Sequence, residues 1–185
     1  MTRTALTLPA LALMLALTMA GCTTAPAAPE AAATTAPSPT PTPSPTPTPE
    51  LLTTEAAGAR YLSAVCGSNK EDREFGEASR VPNQPIAVMN TAAAEGRDAT
   101  RAAAQILDDP MFVWPDTVAE DVALVRDSML AGAGTYDSLA AAPSLEVLNT
   151  IAFADDPASG EAAQRVRLRL NLSADTSAGC EEYTQ

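Results

Sequence analysis

The chain contains no histidine. One omission removes the commonest general base, the commonest metal ligand and the side chain that titrates near neutral pH. Aromatic residues are scarce, at 4%. A β-sandwich would want Tyr, Val, Ile and Thr in alternation, and this alanine-rich chain favours closely packed helices instead. Positive charge is also short, with 11 Lys+Arg against 23 Asp+Glu and a formal net charge of −12. Such a chain does not favour nucleic acid or an anionic membrane surface through its own charge, so no nucleic-acid partner is expected. The longest apolar run, Ala5–Ala20, falls short of the about 20 residues that a membrane-spanning helix needs. Phosphate-cradling and nucleophile-elbow motifs are missing as well: there is no P-loop, no GxGxxG and no serine-centred elbow. With no catalytic set, no metal-ligand set and no cofactor motif, the expectation is a protein that is not an enzyme and holds neither cofactor nor metal.

What is present starts at the N-terminus. Arg3 precedes the apolar run, which gives way to small residues and a cysteine, Met19-Ala20-Gly21-Cys22. Charge, apolar stretch and small residues in that order form the pattern of a secretory signal peptide. The last four residues resemble the lipobox of bacterial membrane lipoproteins. That resemblance implies that the Cys22 thiol takes a diacylglyceryl group with palmitate-type chains. It also implies signal cleavage between Gly21 and Cys22, leaving Cys22 as the first mature residue. Two acyl chains anchor stably where one does not, at about 0.8 kcal/mol per buried CH₂. Residues 1–21 then read as signal peptide, and the expected location is the extracytoplasmic face of the cell membrane.

Residues 22–50 read as the lipidated cysteine and a tether. Proline occupies every second position from Pro37 to Pro49. Each proline fixes φ and lacks a donor, and each residue before one is pushed out of the helical region. A polyproline II-like spacer follows, and the whole tether could reach about 85 Å. Glycosylation of its Ser and Thr hydroxyls and recognition of a P-x-x-P match are other uses of such a segment; a plain spacer is the simplest.

Residues 51–185 read as an all-α domain, a small antiparallel bundle of about four main helices with short extras. A first helix begins near Thr53 or Thr54, with an interruption expected at Gly67 and a second piece capped by Ser68 and Glu71 running to about Ser79. The next covers about Pro85–Asp108. Its stripe of Ile86, Met89, Ala93, Gly96, Thr100, Ala103 and Leu107 alternates steps of 3 and 4. The third covers about Asp116–Ala141, with Val118, Val122, Val125, Met129, Gly132, Tyr136 and Leu139 repeating the same steps. The glycines on these stripes, including those in "AGAGTYD", imply close approach of neighbouring helices. A short helix is expected over Ser144–Ala152. The last starts at Asp156-Pro157. "RVRLRLNL" alternates as a strand does, yet Ala162, Val166 and Leu170 also form a helical stripe; helix is preferred, with Asn171 as its C-terminal cap.

Lipidation of Cys22 would leave Cys66 and Cys180. An even pair in an exported domain points to a disulfide, with two free thiols as the alternative. The tripeptide Trp114-Pro115-Asp116 resembles the mobile acid loop of tyrosine phosphatases, but their Cys-x5-Arg is missing, since Arg73 stands one position too late after Cys66. Trp114 is better read as a core residue and Asp116 as part of a helix start. The carboxylate pairs Asp108-Asp109, Glu120-Asp121 and Asp155-Asp156 fall near helix ends, where structural roles outweigh acid–base chemistry. The layout as a whole (signal, lipid cysteine, Pro/Thr tether, small helical domain) resembles uncharacterised actinobacterial lipoproteins. It implies a membrane location more than an activity; the anchor, the long spacer and the missing catalytic set lead to the expectation of a non-enzymatic binding or interaction module with an envelope-protein partner. The alternative is a small-ligand-binding lipoprotein that serves transport.

Overall fold

The computed structural model describes residues 48–183; the expected signal peptide, Cys22 and nearly all of the expected tether lie outside them. The domain is all-α, as its periodicity predicts. Its helices are α1 (Thr54–Ser79), α2 (Ile86–Leu107), α3 (Ala119–Ala140), the single turn α4 (Leu145–Leu148) and α5 (Pro157–Arg169). Among the described residues no helix is long and apolar enough to cross a membrane.

Local chemistry sets the ends. The Thr53 side chain accepts from the Ala56 N–H at the start of α1, and Asp156 accepts from Ser159 at the start of α5, ahead of Pro157. At the end of α5, Asn171 has φ 58°; its N–H reaches the Leu168 carbonyl, and the Leu172 N–H reaches that of Arg167. Those two bonds form a Schellman cap, so "RVRLRLNL" is the end of a helix and its exit turn.

Two expectations need correcting. α1 runs unbroken through Gly67, and Ser68 is no cap: its hydroxyl lies 3.1 Å from that of Thr100 on α2. One helical glycine costs only about 1 kcal/mol, less than a break that would leave eight orphan backbone groups to satisfy. The short helix also ends sooner than expected, with Asn149 as its C-cap.

The structure adds a ladder that periodicity could not reveal. Glu50–Leu51 (β1) pairs in parallel with Phe112–Val113 (β2). The ordered domain therefore includes Glu50, one residue earlier than composition suggests. Arg60 secures this corner: it donates to Asp109 (2.8 Å) and to the Ile106 carbonyl, and its guanidinium stacks 3.7 Å from the Phe112 ring centre. Trp114 is buried, and its indole N–H donates to the Leu107 carbonyl.

The helices run antiparallel, because the start of α1 meets the end of α2 at Arg60–Asp109 and the end of α5 meets the start of α3 at Arg169–Asp121. α2 packs against both α1 and α3, and α5 packs against α3. The core falls into two clusters. One gathers Tyr61, Val65, Leu107, Val122, Val125 and Val166; the other gathers Met89, Ala93, Tyr136, Leu139 and Leu148.

Candidate functional site

A cleft of about 420 Å³ opens where the two core clusters part. Helical spacing builds it. Tyr61, Val65, Ser68 and Asp72 line up along one face of α1; Val125, Met129, Gly132 and Tyr136 line up along α3. The α3 stripe is fully buried at Val118, Val122 and Val125, and again at Tyr136 and Leu139. Between these stretches Met129 and Gly132 are only half-buried. A Cβ placed on Gly132 would meet nothing within 4 Å, nor would one on Gly134. The expectation of close helix approach is thus wrong at these two glycines: the missing side chain leaves space. It is right at Gly96, where a Cβ would lie 2.7 Å from the Tyr136 ring.

Ala163 and Arg167 of α5 and Thr176 of the C-terminal tail complete the wall. Arg167 is 2% exposed. Its Nε donates to the Ser173 carbonyl, and its Nη2 donates to those of Asp175 (2.6 Å) and Ala178 (3.3 Å). These bonds gather the tail around one buried guanidinium. The tail is fastened a second time by Cys66–Cys180, whose Cα atoms lie 5.3 Å apart.

The polar lining divides into satisfied and open groups. The Tyr136 hydroxyl donates to Asp72 at 2.5 Å; burial and then the Asp72 carboxylate push its ionisation far above the ordinary range. Phe75 and Phe153 meet the same ring edge-on, at 5.6 and 4.9 Å. Ser68 and Thr100 satisfy each other. Tyr61 differs: among the described residues its hydroxyl has no hydrogen-bond partner. Burial raises its pKa to about 12, with the Arg167 charge acting against that rise.

Residues singled out from the sequence fall elsewhere. Gly21 and Cys22 lie outside the described residues. Asp108 pairs with Arg126; Asp109 pairs with Arg60 and accepts from the Met111 N–H. Asp121, 5% exposed, receives both Arg165 and Arg169 from α5. The Arg165 hydrogen bonds hold its carboxyl below the usual range, against the opposing effect of burial. Asp155 and Glu120 are exposed, and Asp156 is a cap. None of these carboxylates lines the cleft. Among the described residues no group of three His, Cys, Asp or Glu could hold a metal ion.

Of the cleft residues, Asp72 and Arg167 were not singled out from the sequence, and Tyr61 reads there only as part of the apolar side of the first helix, with Leu62 and Val65. One signal was available: Arg167 follows Ala163 by four residues and sits beside Val166, inside the buried face of α5, whereas Arg165 and Arg169 share another face. Comparison with protein-family models, with curated proteins and with solved structures finds no match to this chain.

Proposed function

We propose that this is a lipid-anchored protein of the extracytoplasmic face of the cell membrane, held through Cys22 and a Pro/Thr tether. Its helical domain is a non-enzymatic binding module that works through the cleft between α1, α3 and α5. The observation that carries this reading is the cleft itself. It combines a volume suited to a small molecule with an apolar wall and a few convergent polar groups, which is the usual make-up of a ligand site. Its size favours the small-ligand alternative, a lipoprotein serving transport, over the docking of a whole partner helix.

Two measurements test the two halves. Metabolic labelling with an alkyne analogue of palmitate should mark the wild-type chain and not Cys22→Ala; absence of label on the wild type would overturn the anchor. Native mass spectrometry of the full chain, gently extracted from its own membranes, should show a bound small-molecule mass. A stoichiometric envelope protein on a chain with an empty cleft would instead favour the interaction reading.

A further inference from the structure

The Arg167 guanidinium is the feature the fold leaves least balanced. A buried charge is costly unless paired and hydrogen-bonded. Arg165 and Arg169, on the same helix and far more exposed, share the Asp121 carboxylate. Arg167 has no carboxylate within ion-pair distance among the described residues; three backbone carbonyls accept from its Nε and Nη2. Its Nη1 has no protein acceptor among those residues. Tyr61, whose hydroxyl also has no partner among the described residues, lines the same cleft. Two residues with an uncommitted donor, one of them cationic, therefore line one cleft, Tyr61 from α1 and Arg167 from α5. Val65, Val125, Met129 and Ala163 supply an apolar wall, and the space beside Gly132 is open.

We propose that the cleft takes a small amphipathic monoanion, a carboxylate on a short apolar body, whose carboxylate is received by Arg167 and the Tyr61 hydroxyl. This rests on the reading of the cleft as the binding surface and names its ligand class. The free Nη1 gives one carboxylate oxygen a charge-assisted hydrogen bond, and the Tyr61 hydroxyl gives one to the other oxygen. A dianionic phosphate fits less well. Asp72 lines the same cleft, Asp175 lies against Arg167, and the chain carries a net charge of −12.

The probes are 3-phenylpropionate and its neutral near-isostere 3-phenylpropanamide, titrated into the full chain in lipid nanodiscs and followed by backbone amide chemical shifts. The acid should shift the amides of Ser68, Gly132 and Ala163 and bind about tenfold more tightly than the amide. Tyr61→Phe keeps the ring and removes only the unpartnered hydroxyl. It should weaken the acid by about three- to tenfold, weaken the amide by less, and leave the thermal midpoint where it was. Equal affinities for acid and amide at these residues would overturn the anion assignment while leaving the cleft as a binding site. Absence of cleft shifts with either probe would overturn both readings.

Discussion

Gly96 and Gly132 lie on facing helices of one bundle and do opposite things. At Gly96 the Tyr136 ring presses directly onto the α2 backbone, and Phe75 and Phe153 close around that ring. At Gly132, one turn before Tyr136 on α3, the missing side chain leaves room. The same residue type is a contact in one place and a vacancy in the other. The lesson is that small residues on a helical stripe indicate a location on the inner face, and only the facing element decides whether that location is filled. Here the packed region orders the bundle, and the open region next to it offers free volume lined by two residues with uncommitted donors.

The sharpest way to separate the two regions is to release the tail that walls the open one. Replacing Cys66 and Cys180 together by alanine should lower the unfolding free energy by about 2–5 kcal/mol, read by urea denaturation. Amide exchange should rise chiefly over 173–180, with α2 and the Tyr136 region keeping their protection. Uniform loss of protection would mean that the regions are not distinct. Next in size is Gly96→Ala, whose methyl would meet the ring; about 1–3 kcal/mol of stability should be lost by the same assay.

Asp121→Asn should cost about 1–2 kcal/mol near neutral pH, since both arginine partners are partly exposed. Its pH dependence has a definite sign. The carboxyl is held below its unfolded value of about 3.9, so its contribution is complete above that value and is lost as pH falls through the folded one. Acid denaturation profiles should show a flatter slope below pH 4 for Asp121→Asn than for the wild type. The smallest effect has the opposite sign: Gly132→Ala should stabilise by about 0.5–1 kcal/mol, because the methyl meets nothing and the helix gains backbone rigidity.

Much of the fold was readable because it rests on periodic burial. The stripes of α2 and α3 repeat steps of 3 and 4, and every member from Met89 to Leu107 of the α2 stripe is buried. Asn171 and Asp156 were legible as caps because their side chains suit those backbone positions. The break expected at Gly67 failed because local propensity is weak beside the packing of a 26-residue helix. The β1–β2 ladder was hidden because two residues carry no period. The cleft was hidden for a deeper reason. Arg167 bonds to carbonyls of residues 173, 175 and 178, which every residue possesses, so its partners leave no mark on the sequence. Tyr61 and Tyr136 looked alike as apolar stripe members; one hydroxyl meets Asp72 and the other meets no described residue, and only the fold separates them.

The central claim is that real space stands open beside Gly132 between two packed clusters. It is tested most directly by the unfolding free energy of Gly132→Leu in the full chain, measured by urea denaturation. If the cleft is open, the leucine enters it without clash and gains helix propensity, and stability stays equal or rises by up to about 2 kcal/mol. A loss of more than about 2 kcal/mol would mean that the space is already filled, and would contradict the account.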